Sequence, residues 1–158
     1  MARGNPWTGV DRGQLLLAGL HTGILGGAAM LALLSVAAMW NGRSFWSTAN
    51  ILAATFYGEE ALYRGFRWST LTGLALHFSV CGVLGMAFSL AAAGLLHDIR
   101  VRLLGLLFAL AWYWIWFGYL WSRVNPLVPL YMPPDITVAA HLLLGVTLGF
   151  LPRWVRSS

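Results

Sequence analysis

Residues 14–40 read QLLLAGLHTGILGGAAMLALLSVAAMW, 27 consecutive positions without a carboxylate, a lysine or an arginine. A helix that crosses a bilayer needs about 20 mostly apolar residues, and a charge near the bilayer centre is costly. The stretch is therefore read as a membrane span. Residues 69–96, 103–122 and 136–151 share the property. In lipid every backbone N–H and C=O must find a partner inside the segment, so unbroken apolar runs of this length are helical. The expected fold is an all-α membrane protein with four transmembrane helices in an up-down bundle, forming one integral membrane domain over residues 1–158.

Composition narrows the function classes. With 158 residues, 59% hydrophobic and 9% charged, the chain has no room for a separate soluble domain. Its net charge of +5 rests on ten arginines and no lysine, a usage that fits a GC-rich bacterial genome. The arginines are scattered rather than gathered with aromatics on one surface, which argues against a nucleic-acid partner. Their pattern reads as topology. Arg3, Arg12, Arg100, Arg102, Arg153 and Arg156 flank one side of a four-span arrangement, and Arg43, Arg64, Arg67 and Arg123 flank the other. The excess of positive charge predicts cytoplasmic N- and C-termini in a bacterial inner (cytoplasmic) membrane. Ser35-Val36-Ala37 has the small residues of a signal cleavage site. The apolar run before it is longer than the 7–15 residues of a signal core, so the segment is expected to stay as a span. Cys81, the single cysteine, lies inside the second span and cannot form an internal disulfide.

Between the first two spans, Trp46-Ser47-Thr48 and Trp68-Ser69-Thr70 repeat a triplet, and six of the twelve positions aligned from 45 and from 67 are identical. Both copies read as a tryptophan at headgroup level followed by a serine that caps a helix. The first copy ends near Gly58 and is too short to span, so residues 46–58 are expected to form an interfacial or shallow re-entrant helix. Glu59 and Glu60 with Arg64 and Arg67 make a charged turn; Glu60 and Arg64 are four apart, the spacing of an intrahelical ion pair.

Small residues mark helix contacts. Gly19, Gly23 and Gly27 recur every four residues on one face of the first span, and Gly145 and Gly149 repeat the interval in the fourth. Glycine lets two backbones approach in lipid, so these stripes are helix-packing surfaces, the first of them exposed for a partner. The third span contributes aromatics: from Trp112 to Trp121 seven of ten residues are aromatic. Trp112, Trp116 and Tyr119 share one helical face and Trp114, Phe117 and Trp121 another, so Trp112, Trp114, Trp116 and Trp121 are candidates for lipid or partner contact. The proline-rich stretch from Asn125 to Asp135 is expected to be a stiff non-helical loop, with Asp135 capping the fourth span.

Chemistry is sparse. His97 reads as a turn residue and His21 lies two turns into the first span. His77 and His141 occur early in spans that run in the same direction, each followed by glycines. In a bundle they can face each other at one depth, the arrangement a bis-histidine haem b requires; a chlorophyll-type pigment needs only one of them. The plainer reading is that each bonds to a neighbouring helix. No phosphate loop, zinc-spaced Cys/His cluster or nucleophile with a base is present, and no catalytic or metal-ligating residue is assigned. The runs Asn50-Ile51-Leu52-Ala53-Ala54-Thr55-Phe56-Tyr57-Gly58 and Met132-Pro133-Pro134 before Ala139-Ala140-His141 resemble small bacterial four-helix membrane proteins, a likeness that implies architecture and no activity. The leading expectation is a non-catalytic integral subunit that structures or anchors a larger membrane complex, respiratory or photosynthetic, with lipids and other integral subunits as partners. The alternatives are a haem b or pigment-binding electron-transfer protein using His77 and His141, and a small stand-alone channel or lipid-handling protein.

Overall fold

A computed structural model describes residues 11–62, 65–95 and 98–157, apart from the side chains of 156 and 157. Arg3, Trp7, Arg64 and His97, with the expected Glu60–Arg64 pair, lie outside these residues. The chain is all-helical among the described residues: α1 (Arg12–Trp40), α2 (Ser47–Tyr57), α3 (Trp68–Ala92), α4 (Asp98–Val124), α5 (Leu127–Tyr131), α6 (Pro134–Leu148) and α7 (Leu151–Ser157). Helices α1, α3, α4 and the α6–α7 run (Pro134–Val155) are each long and apolar enough to cross a membrane.

Local chemistry sets the ends of α1. Asp11 accepts a hydrogen bond from the Gln14 backbone N–H at 2.8 Å, and the Gln14 side chain accepts from the Asp11 N–H at 3.3 Å. This reciprocal pair satisfies two donors that the first turn otherwise leaves open. At the other end Gly42 adopts φ +70°, where a side chain is disfavoured, while the N–H groups of Gly42 and Arg43 bond back to Met39 and Ala38. That closes the helix with its last carbonyls occupied.

The glycines decide how closely the helices pack. A β-carbon on Gly19 would meet Gly85 and Ser89, one on Gly23 would land on the Cys81 carbonyl, and one on Gly27 would meet the Cys81 side chain. The partners run backwards from Ser89 to Cys81 as α1 runs forwards, so α1 and α3 are antiparallel. Gly105 of α4 and Gly145 of α6 meet in the same way, with Gly149 against Arg102. Both stripes are thus consumed inside the chain, and the expectation that Gly19, Gly23 and Gly27 face a partner is corrected. Helix α1 packs along α3 and α6, α4 packs along α6, and α3 touches α4 at few points. The core around Phe88, Val101, Leu144, Leu148 and Leu151 closes the end near the termini.

Helix α2 differs from a surface helix. Thr48 through Ala54 are all buried, so the other elements enclose it over its first two turns, while Phe56 and Tyr57 at its end are exposed. Gly73 of α3 supplies the room, since a β-carbon there would strike the Ala49 carbonyl. Polar groups secure the irregular backbone. Asn50 donates to Gly65 O at 3.0 Å and accepts from Thr70 Oγ1 at 2.6 Å. Asn125 donates to Ile51 O at 2.8 Å and to Thr55 Oγ1 at 3.0 Å. Non-helical chain at membrane depth survives only where such partners exist.

Three expectations about ends need correction. Ser47 and Ser69 do not cap: Trp46 has no capping side chain, and at α3 Thr70 Oγ1 accepts from the Arg67 N–H at 2.9 Å. Asp135 stands exposed in the first turn of α6 without a capping bond; there it still favours the helix dipole. The proline-rich stretch holds a five-residue helix, α5. Pro126 precedes it and Pro129 falls in its first turn, where an N–H has no helical acceptor to lose.

Candidate functional site

A cavity of about 80 Å³ lies between α1, α3, α4 and α6, with Leu52 of α2 and Val128 and Met132 near α5 closing one end. Its lining is apolar and aromatic except for His77, Cys81, Thr137 and His141. Among the described residues, no aspartate, glutamate or arginine lines it. The two histidines foreseen as a pair therefore do meet one space, although they reach it in different states.

His77 is buried, and its Nε2 lies 2.8 Å from the Gly27 carbonyl of α1. A carbonyl only accepts, so Nε2 carries the proton and donates across the helix interface. The approach depends on Gly27, whose missing side chain leaves the α1 backbone open to α3. Cys81, one turn on, sits with Sγ 3.8 Å from the same nitrogen.

His141 is equally buried but bonds within its own helix. Its Nδ1 lies 2.8 Å from the Thr137 carbonyl one turn back, so the proton is on Nδ1. Nε2 is then a lone-pair acceptor, on a ring that lines the cavity. The edge of Tyr113 packs on the ring with centroids 5.4 Å apart, fixing its plane.

The aromatic wall comes from α4. At Trp116–Leu120 the helix widens by one residue per turn, and the Trp121 N–H reaches back five positions to Trp116 O. Such turns shift which residues share a face. Trp116 packs in tilted geometry against Trp112 at 4.9 Å and against Trp121 at 5.5 Å between ring centroids. Trp112, Trp116, Phe117 and Trp121 consequently all line the cavity, whereas Trp114 is 70% exposed and Tyr119 59% exposed. The regular spacing that pairs Trp116 with Tyr119, and Trp121 with Trp114, is corrected by that wide turn. Of the four tryptophans that are candidates for lipid or partner contact, Trp114 is exposed and Trp112, Trp116 and Trp121 are half-buried. The Trp116 indole Nε1–H is buried without an acceptor among the described residues, a feature that residue spacing does not reveal.

Elsewhere, His21 is exposed on α1 with its ring 5.7 Å from Trp154 of α7. Glu59 and Glu60 are exposed on the turn after α2. No group of three histidine, cysteine or acidic side chains that could hold a metal ion occurs among the described residues. No protein family, no curated protein and no solved structure matches this chain.

Proposed function

We propose that this chain is a non-catalytic integral membrane subunit that structures or anchors a larger respiratory or photosynthetic complex. In this reading it sits as an up-down bundle in a bacterial cytoplasmic membrane, both termini cytoplasmic, with other integral subunits and lipids as its partners. The observation that carries it is the outer face of α4. Only 17% of its apolar window is buried, against 39–44% for the other spans. That face presents Trp114, Ile115 and Tyr119 beyond Leu103 and Leu107. Trp114 lies ten residues, about 15 Å, inside the end of its helix. An indole N–H at that depth finds no partner in hydrocarbon, whereas a neighbouring helix can supply one. The test is gentle extraction followed by a native gel and mass spectrometry of the co-migrating proteins. Migration within a large assembly, weakened by Trp114→Ala, supports the reading; migration alone overturns it.

The state of His141 favours a second reading, a haem b or chlorophyll-type pigment held on a histidine. A ligating imidazole commonly donates its other N–H to a backbone carbonyl, and His141 does so. Ligation by His77 as well would require it to give up Gly27, and no arginine among the described residues lines the cavity to meet haem propionates, so a single-histidine pigment suits the described residues better. An absorption band in the purified protein that disappears in His141→Ala would support it.

A further inference from the structure

At the corner between the end of α1 and the start of α2 lies a cleft of about 150 Å³, lined by residues that include Arg43, Ser44, Ser47, Asn50 and Tyr131. Arg43 sets its chemistry. Among the arginines whose side chains are described, Arg43 alone is partly buried, and the rest stand exposed. Its Nη1 donates to the Tyr131 carbonyl at 2.7 Å, which holds the guanidinium against the end of α5. That bond uses one of five N–H donors and neutralises none of the charge. No aspartate or glutamate lines the cleft among the described residues. Taking a charge partly out of water without a counter-charge is costly, so the cleft is complementary to an anion. Ser44 Oγ accepts from the Trp46 N–H at 3.2 Å and keeps its own O–H to donate.

Size and level narrow the anion. A protein cavity of roughly 150 Å³ takes up benzene, and a tetrahedral phosphate group is no larger. Its oxygens match the planar fork of a guanidinium. Helix α1 ends at Trp40 and the antiparallel α3 begins at Trp68, so both residues stand on one side of the bundle. Their indoles are 90% and 86% exposed. Tryptophans so placed mark the headgroup level of a bilayer, and Arg43 follows Trp40 by one short turn. Phe45 and Leu130, each next in sequence to a lining residue, are exposed apolar side chains. A cationic cleft at headgroup depth with an apolar rim suits a phospholipid better than free phosphate, which brings nothing to cover that rim.

We infer that this cleft binds the phosphate of an anionic membrane phospholipid, its oxygens on Arg43 and its apolar part toward the exposed rim. The inference goes beyond the subunit reading and does not rest on it, because the purified chain alone is enough to test it.

The experiment titrates the purified full-length protein in detergent micelles with single lipids, and native mass spectrometry reads what binds. The probes are dioleoyl phosphatidylglycerol, dioleoylglycerol, which lacks the phosphate, and inorganic phosphate alone. The expected result is saturable binding of the phosphatidylglycerol, about tenfold tighter than the diacylglycerol. Inorganic phosphate at equal concentration does not displace it. Arg43→Gln reduces the preference to about twofold or less. Arg123→Gln removes the same charge from an exposed site over the Tyr119 ring and leaves the preference in place. Thermal unfolding checks that both variants are folded. Equal binding of the two lipids by the wild-type protein overturns the proposal without reference to any variant. Equal losses in folded Arg43→Gln and Arg123→Gln proteins overturn it too, since net charge alone then explains the attraction. Displacement of the lipid by inorganic phosphate at equal concentration assigns the cleft to a free anion and overturns the phospholipid.

Discussion

Gly23 of α1 stands so close to Cys81 of α3 that a β-carbon on the glycine would fall on the cysteine carbonyl oxygen. The obstacle is backbone, and no rotamer change relieves it. In lipid, where two apolar surfaces gain little by leaving solvent, close packing of this kind is what holds helices together. Gly23→Leu is therefore expected to lower stability by about 3 kcal/mol or more, in line with overpacked cores. Gly65, with nothing within 4 Å of its missing side chain, is the control, and Gly65→Ala should change stability by less than about 0.5 kcal/mol. Thermal unfolding in detergent compares them; equal losses would mean that the α1–α3 contact is not backbone-limited.

Asn125 makes a second prediction, because it is 3% exposed and spends its amide on two groups of α2. Asn125→Ala removes both bonds, together with the one its Oδ1 accepts from the Leu127 N–H, and leaves Thr55 Oγ1 without that donor. The expected cost is about 2 kcal/mol. Asn41 also donates to a carbonyl, Ala37 O, but at an exposed site, and Asn41→Ala should cost no more than about 0.5 kcal/mol. The distinguishing readout is local: limited proteolysis between α1 and α3 should accelerate in Asn125→Ala well below the unfolding temperature. An unchanged cleavage rate would show that α2 is held by its apolar contacts alone.

The spans were legible because their signal is an absence. Four runs free of acids, lysine and arginine need no knowledge of neighbours to be read as helices. The every-fourth-residue glycines were legible as packing surfaces for the same local reason. What they pack against was not, since spacing within one helix is silent about the partner, and Gly19 meets Gly85 rather than another chain. The burial of α2 is likewise a tertiary fact, set by Gly73 and Asn125 far along the sequence. The wide turn at Trp116–Leu120 has no sequence mark. It shifts the face of Trp121, which regular helical spacing pairs with Trp114 and which instead lines the cavity with Trp116. His77 and His141 were recognisable as candidates, but which nitrogen each leaves free depends on Gly27 and Thr137.

The outward tryptophan gives a third prediction. Trp114 is 70% exposed while Trp112 and Trp116 line the cavity. Replacing Trp114 with leucine keeps an apolar side chain and gives up a single edge contact with the Tyr113 ring. The isolated protein should unfold within about 0.5 kcal/mol of wild type. Trp116→Ala, by contrast, leaves a void beside Trp112 and Trp121 and should cost about 3 kcal/mol. Comparable losses for the two would place Trp114 in the fold rather than on a contact surface.

The two buried histidines offer the sharpest contrast. His77 donates from α3 to the Gly27 carbonyl of α1 and so joins separate helices. His141 donates to Thr137 O in its own helix, where the carbonyl already receives the helical N–H and the bond ties nothing together. His77→Leu should therefore cost about 1 kcal/mol, the range of interhelical hydrogen bonds in membrane proteins. His141→Leu should stay within about 0.5 kcal/mol of wild type, because leucine fills the space and orphans no essential donor. Unfolding by denaturant in mixed micelles, run on both variants in parallel, measures the difference. If His141→Leu proves the more damaging, its imidazole is structural and its free nitrogen is incidental. If His77→Leu is the weaker variant, His77 belongs to the frame and His141, free of structural duty, is the residue left to receive a ligand.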